Sequence, residues 1–206
     1  MLYQMKRCHM NEKEYERKFL RLKMNIKGIL QQIDPSPYRE GLQKTPERVA
    51  TAMLRDWFWG YQLEGKDILT TGFDAEKYDE MIIEGPIRFY SHCEHHLAPF
   101  WGNAYIGYIP GKSGKIVGAS KLAQLIHIYS RRLQNQERIA KQIANSFCDV
   151  VKPLGFGVYL SGQHMCMCSR KMGLDDTQFK TIVTRGVIRS KQAARMEFLM
   201  QINGKT

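Results

Sequence analysis

The chain has 206 residues and a mass of 24.0 kDa, enough for one domain with a core of its own. Its 43% hydrophobic and 25% charged residues exclude a disordered chain. Because 31 Lys and Arg oppose 20 Asp and Glu, the net charge is +11, which favours an anionic partner: nucleic acid, an acidic membrane surface or a phosphorylated small molecule.

Cysteine usage and hydropathy indicate the compartment. Five Cys is an odd number in a chain that needs no disulfide framework, so we interpret them as thiols or metal ligands in a reducing compartment. No apolar run reaches the ~18 residues of a membrane span, and no signal peptide is recognisable. We expect a soluble, cytoplasmic protein with no membrane partner.

The first part of the chain is predicted to be helical. Apolar residues recur at steps of three and four over residues 11–33, which predicts a helix that ends at Asp34-Pro35. Thr45-Pro46-Glu47 predicts a second helix, with Thr45 as N-cap, running to about Trp59. Residues 1–77 are assigned to an N-terminal helical extension and residues 78–206 to the main domain.

Strand and helix patterns alternate in the main domain. Strands are predicted near residues 81–90, with an interruption at Gly85-Pro86, and near 103–110. Two helical patterns follow, at 122–133 and 139–151. Further strands are predicted near 155–161, 164–170 and 179–188, and a short helix at 191–200. Helices grouped between strand pairs predict an α+β fold with an antiparallel sheet.

The densest cluster of reactive side chains is Ser91-His92-Cys93-Glu94-His95-His96. Cys93 and His96 lie three residues apart, a spacing that lets both face one ion from a tight turn. Cys166 is the natural third ligand. Three ligands leave the fourth zinc position for water, which is the catalytic arrangement. The alternative interpretation is buried thiols and surface imidazoles without a metal.

Three more side chains lie beside these ligands. His95 and His164 each suit a general acid, or simply hydrogen-bond to the site. Cys168 shares a face with Cys166 if this segment is a strand, and either approaches the metal or fills the core.

Two further patterns suit a nucleotide. Ser120-Lys121 opens a helix after Gly118, and a helix N-terminus with a Lys suits a phosphate. Residues 134–137 separate two helices, where a Gln or Glu either reads a purine edge or belongs to an ordinary turn.

Taken together, these residues resemble the GTP cyclohydrolase I family. The resemblance covers roughly residues 34–190 and rests on segments that occur in the family's order. These segments are Arg39-Glu40-Gly41-Leu42, Thr45-Pro46-Glu47-Arg48, Cys93-Glu94-His95-His96, Gly118-Ala119-Ser120-Lys121-Leu122-Ala123, residues 128–134, Gln136-Glu137-Arg138 and His164-Met165-Cys166-Met167.

The resemblance implies a fold, a reaction and an assembly. The fold is the tunnelling fold, a ββααββ antiparallel sheet with helices on one face. It closes into barrels as a homo-oligomer, usually a decamer with active sites at subunit interfaces. The reaction opens the guanine ring of GTP at C8 by hydrolysis, releases formate and yields 7,8-dihydroneopterin triphosphate. The cofactor is Zn²⁺, although two Cys and one His accept Fe²⁺ as well.

The resemblance also implies residue roles. The zinc ligands are Cys93, His96 and Cys166. The groups that transfer protons are His164, which protonates the imidazole ring of the base, and His95, its partner in later steps. The guanine contacts are Glu137 and Gln136. The triphosphate and ribose contacts are Ser120, Lys121 and Arg170.

Three positions depart from the family's usual pattern. Gln124 stands where an Arg is usual, Lys171-Met172 replaces Gly-Val, and Cys168 replaces Val or Thr. Because one expected phosphate cation is missing, the same chemistry on dGTP, GDP or GMP stays open as an alternative.

Two other classes predict different features. A basic nucleic-acid-binding protein with a structural zinc predicts a closed four-ligand site and stacking aromatics, whereas three ligands leave an opening. We therefore expect no nucleic-acid partner. An inactive homologue is disfavoured because His164 and Glu137 are both present.

Overall fold

The computed structural model describes residues 10–70, 72–112, 114–170 and 177–203. The chain forms two compact units, Met1–Gln62 and Leu63–Thr206. Residues 63–77, which the sequence analysis places in the N-terminal extension, belong to the second unit. None of the described helices combines the length and the apolar character that a membrane crossing requires.

Two helices dominate the first unit, α1 (Glu12–Ile33) and α2 (Thr45–Ala52). The side chain of Asn11 caps α1 by accepting a 2.9 Å hydrogen bond from the Glu14 amide, as short polar side chains do at helix starts. The helix ends at Ile33 because Asp34 precedes a proline and takes an extended conformation, with ψ of 127°.

The second predicted helix differs from the observed one at both ends. Lys44 occupies the N-cap position and Thr45 is already helical. After Ala52 the chain widens into a π-helical turn, Met53–Trp57, and then a 3₁₀ turn, Trp59–Gln62. Over so few residues the apolar spacing does not distinguish these helix types, which differ in their hydrogen-bond partners and in the number of residues per turn.

A five-stranded sheet organises the second unit, with the order β5-β2-β3-β6-β7. Its strands are β2 (Ile82–Cys93), β3 (Pro99–Ile109), β5 (Leu133–Gln134), β6 (Gly155–His164) and β7 (Phe179–Arg185). All neighbours are antiparallel except β5, which runs parallel to β2. A separate short pair joins β1 (Gly72–Asp74) to β4 (Lys115–Val117). The predicted order of strand, strand, helix, helix, strand and strand is present.

The interruption predicted at Gly85-Pro86 is a bulge within one continuous strand. The register of β2 against β3 shifts between Glu84 and Ile87. Proline has no N–H to donate to a ladder, so pairing skips this position and resumes after it.

Helices cover both faces of the sheet, whereas the implied fold places them on one face. A short helix, α3 (Gly65–Ile68), lies near the start of the second unit, and the long helices α4 (Ala119–Ser130) and α5 (Gln136–Val151) lie between β3 and β6 in the chain. Toward the C-terminus, α7 (Gly186–Ser190) and α8 (Gln192–Asn203) form a second cluster, in which Phe198 packs with Tyr105 and Tyr159. Tyr105 alternates along β3 with the fully buried Ala104 and Ile106, so this second cluster lies on the opposite face.

Two glycines allow α8 to approach the sheet closely. A Cβ added at Gly107 or Gly157 would lie 2.7 Å from the ring of Phe198. These positions are neighbours in β3 and β6. The missing side chains therefore make a depression that the buried Phe198 ring fills.

The strand predicted at residues 164–170 is wrong. Strand β6 ends at His164, and α6 (Met165–Cys168) is a single helical turn. His164 pairs with Phe100, the second residue of β3. Because β3 begins at Pro99, no partner backbone remains for the residues that follow, and the chain turns instead.

Candidate metal and nucleotide site

A tight turn at the end of β2 presents the first two candidate ligands. The amides of His96 and Leu97 donate to the Cys93 carbonyl at 3.4 and 2.8 Å, and the Cys93 amide donates to the Ala98 carbonyl at 2.8 Å. Leu97 takes a left-handed conformation with φ of 56°, which is unusual for a residue with a Cβ and is typical of functional turns. The turn brings Cys93 and His96 to the same side.

The third candidate ligand arrives from α6. The ligand atoms of Cys93, His96 and Cys166 all lie within 4.8 Å of one another. Burial raises the pKa of the Cys166 thiol, and the neighbouring Cys93 raises it further. Two thiolates side by side repel each other, and a bound cation relieves that repulsion. The donor set and its spacing therefore fit a metal ion that prefers sulfur and imidazole.

Stacked aromatic rings hold His164 beside this group. Its ring stacks on Phe100, with centroids 4.2 Å apart and planes 8° apart, and meets the edge of Phe179 at 5.5 Å. Burial lowers the pKa of His164, and the charge of Glu137 raises it in opposition. Glu137 follows Gln136 in the first turn of α5, and Gln136 Oε1 lies 3.2 Å from His164 Nε2.

Helix α5 begins at this same end of the sheet and carries the predicted guanine contacts. Asn135 caps it, because its side-chain oxygen accepts a 2.8 Å hydrogen bond from the Arg138 amide. Glu137 is exposed in the first turn. Gln136 is fully buried, and its side chain bonds to protein groups in β6 and β7.

His95 and Arg170 also lie at this end. His95 Nδ1 is 3.7 Å from the sulfur of Cys93, and its Nε2 is 3.8 Å from Glu94. Arg170 Nη1 is 2.9 Å from His96 Nε2. Eight of the ten predicted site residues thus meet at one end of the sheet. They are Cys93, His95, His96, Gln136, Glu137, His164, Cys166 and Arg170.

Ser120 and Lys121 lie elsewhere in the same chain. They open α4 just after β4, and the Val117 amide donates a 2.9 Å hydrogen bond to the hydroxyl of Tyr108. Tyr108 pairs with Phe156, eight residues along β6 from His164, a distance of roughly 26 Å at the rise of a strand. The predicted phosphate contacts and the metal group are therefore at opposite ends of the sheet.

The three departures from the family pattern have different placements. Gln124 lies on α4 and is half-buried. Cys168 is not a member of the group that Cys93, His96 and Cys166 form, because residues two apart on a helical turn point in different directions. Lys171 and Met172 lie outside the described residues.

An ionic network that the sequence does not predict joins the ligand turn to α5. Glu94 forms a bidentate ion pair with Arg138, in which Arg138 Nη2 lies 2.8 Å from Glu94 Oε1. The Asn135 amide donates to the same carboxylate at 3.1 Å. Arg138 holds the pKa of Glu94 below its usual range. The only signal in the sequence was a carboxylate between two candidate ligands, since its partners are more than 40 residues away.

Comparison with known proteins places this arrangement in a family. The family model described as GTP cyclohydrolase I matches residues 22–203. The GTP cyclohydrolase 1 of Saccharomyces cerevisiae is 44% identical over 86% of this chain and 72% of its own length. Those of Nitrosospira multiformis and Rattus norvegicus are 44% and 41% identical, over 83% and 93% of this chain and over 88% and 78% of their own lengths.

The fold and the site are those of an enzyme in which a Cys-His-Cys group that could hold a metal ion lies at the same end of the sheet as the start of α5. The chain belongs to the GTP cyclohydrolase I family.

Proposed function

We propose that the protein hydrolyses GTP at C8 of the guanine ring, releasing formate and forming 7,8-dihydroneopterin triphosphate. One observation carries the proposal: a group that could hold a metal, a half-buried imidazole and a carboxylate converge at one end of the sheet. Opening a purine ring requires a nucleophile at C8, a proton for N7 and a group that recognises the base. Each of these requirements has a candidate side chain here.

Zinc is the proposed cofactor, held by Cys93, His96 and Cys166. Their three ligand atoms lie within 4.8 Å of one another, and two thiolates with one imidazole suit a catalytic zinc with an open position. A zinc ion bound there would lower the pKa of a coordinated water to about 7 and so supply the nucleophile.

The remaining roles follow from position and chemistry. His164 delivers a proton to N7, because it lies next to the metal group and interacts with Glu137. Glu137 accepts hydrogen bonds from N1–H and the 2-amino group of guanine, which a carboxylate does with its two oxygens. His95 exchanges protons in the later steps. Arg170 contacts the ribose or phosphates beside His96.

Ser120 and Lys121 complete the site only if a second copy of the chain supplies them. In one chain they lie at the end of the sheet away from His164, separated by roughly 26 Å of strand. A guanine held by Glu137 does not extend its phosphates over that distance. We therefore propose a homo-oligomer, in the family's decameric form, that joins the α4 N-terminus of one subunit to the metal end of the next.

GTP is the substrate that the family relationship supports, and nothing in the comparisons favours dGTP, GDP or GMP. The test is direct. Purified protein with added zinc is offered each nucleotide, while formate release and pterin fluorescence are recorded. We expect both signals with GTP. Formate release that is faster with GMP or GDP than with GTP would overturn the triphosphate assignment, and no formate with any nucleotide would overturn the reaction.

A further inference from the structure

The buried amide of Gln136 has only one orientation that satisfies its surroundings. Its nitrogen lies 2.9 Å from the Phe179 carbonyl, 3.3 Å from the Leu160 carbonyl and 3.0 Å from the Thr181 hydroxyl. Backbone carbonyls only accept hydrogen bonds. The NH₂ end of the amide must therefore face the sheet. In the flipped orientation Gln136 Oε1 would lie against the two carbonyl oxygens, and no hydrogen atom would be available between these acceptors.

This orientation fixes what the other end of the amide does. Gln136 Oε1 lies 3.2 Å from His164 Nε2. An amide oxygen only accepts, so Nε2 must be the donor and must carry a proton. A neutral imidazole with its proton on Nε2 holds its lone pair on Nδ1, since the bond made by one ring nitrogen sets the state of the other.

The surrounding packing keeps the two side chains in this relation. The stacking of His164 on Phe100 restricts the plane of the imidazole. Gly162 provides the space for the amide, because a Cβ added there would lie 2.6 Å from Gln136 Oε1. Gln136 is also 0% exposed, so all contacts of its side chain are with the protein.

We propose that the side chain of Gln136 positions His164 and does not read the base. It holds the proton of His164 on Nε2 and leaves Nδ1 to exchange the catalytic proton. In the ring-opening step the imidazolium form of His164 gives its Nδ1–H proton to N7 of guanine and the electron pair of that bond stays on Nδ1. The neutral ring then keeps its Nε2 proton, which is hydrogen-bonded to Gln136 Oε1. This assignment rests on the proposed role of His164 in the reaction.

The first test separates positioning from base recognition. Gln136→Met keeps the length of the side chain but cannot accept from His164. We expect kcat to fall about tenfold to a hundredfold, a part of what a general acid contributes. The KM for GTP and the preference for GTP over inosine triphosphate, which lacks the 2-amino group, should stay unchanged. Glu137→Gln is the matched comparison, in which that preference should decrease.

The second test needs no variant of Gln136 and no turnover. In the parent enzyme labelled with ¹⁵N-histidine, the neutral ring of His164 should give the chemical shifts of the Nε2–H tautomer, assigned by their loss in His164→Asn. In Gly162→Ala the added Cβ displaces Oε1, so the neutral ring should show both tautomers.

Each test has an outcome that overturns the proposal. An Nδ1–H tautomer in the parent enzyme would do so, as would a lost preference for GTP in Gln136→Met. If the parent releases no formate from GTP, the proposed function fails, while the tautomer measurement still decides what Gln136 does to His164.

Discussion

At the scale of single residues, the candidate metal group has three donor side chains and does not include a third sulfur that is very close in sequence. Cys166 and Cys168 share one helical turn, yet only Cys166 belongs to the group with Cys93 and His96. The sequence presents both as candidates because the spacing of two is ambiguous between strand and helix. Strand β6 ends at His164, so both cysteines lie on a helical turn. The position of that strand end depends on where the distant strand β3 begins.

Cys166→Ala and Cys168→Ala form a matched pair that tests this distinction. Cys166→Ala should lose bound zinc and all turnover, because two ligands hold zinc far more weakly than three. Cys168→Ala should retain stoichiometric zinc. Zinc content after dialysis, measured by atomic emission, decides the outcome. Full zinc in Cys166→Ala would remove that residue from the ligand set.

Cys148 illustrates the opposite case, a thiol that chemistry cannot easily reach. Burial raises its pKa to about 11, so the reactive thiolate is scarce at neutral pH. We expect iodoacetamide to alkylate Cys148 about a hundredfold more slowly at pH 8 than an unperturbed thiol. Because the folded pKa is raised, the rate should keep rising about tenfold per pH unit up to pH 9.5. A plateau near pH 9, measured by mass spectrometry on folded protein, would contradict the assignment.

At the scale of elements, the site depends on how the turn after β2 is joined to the start of α5. Glu94 and Arg138 make that connection, and Asn135 takes part in it while also capping the helix. The turn carries two of the proposed metal ligands, and the helix carries Glu137, the proposed base contact. A shift of either element would separate these two parts of the proposed site.

A double-mutant cycle measures this connection. Glu94→Gln should weaken zinc binding or lower kcat about tenfold, as is usual for groups that orient metal ligands. Arg138→Gln should have a similar effect, and the double variant should be no worse than either single one, because both remove the same interaction. Glu14→Gln, which breaks the exposed pair with Lys18, is the control and should change neither quantity. Losses that multiply in the double variant would show independent roles.

Features that depend on residues close in sequence were predictable, and contacts between distant residues were not. Helix α1 and the order of β2, β3, α4, α5, β6 and β7 follow from local periodicity, so they were predicted correctly. The strand predicted at residues 164–170 depended on distant pairing and was wrong. The candidate metal group was predicted from the local spacing of Cys93 and His96 together with the later Cys166, and the family resemblance implies the same set. The contacts of Glu94 and Gln136 were not predictable, because they join β2, α5, β6 and β7 through pairs 24 to 45 residues apart. Their geometry exists only once the sheet has formed.

At the scale of the whole molecule, the position of α4 has the largest consequence. Its first turn, with Ser120 and Lys121, begins near Tyr108, whereas its last turn reaches the neighbourhood of β5 and the metal end. Its 12 residues extend over about 18 Å. One chain thus places the proposed phosphate contacts at one end of the sheet and the proposed metal ligands at the other. In a ring of copies, each interface would bring one of each together.

Subunit complementation tests this arrangement. Lys121→Ala should inactivate the phosphate-binding end and Cys166→Ala the metal-binding end, so each variant alone should be inactive or nearly so. When the two are co-expressed in equal amounts, an interface functions if its metal end comes from Lys121→Ala and its α4 from Cys166→Ala. Random assembly makes that so at about a quarter of interfaces. We therefore expect about a quarter of the parent activity in the mixed oligomer, isolated through a different affinity tag on each subunit. If both ends of a site come from one chain, no mixture regains activity, and a mixed oligomer as inactive as its components would exclude the shared site.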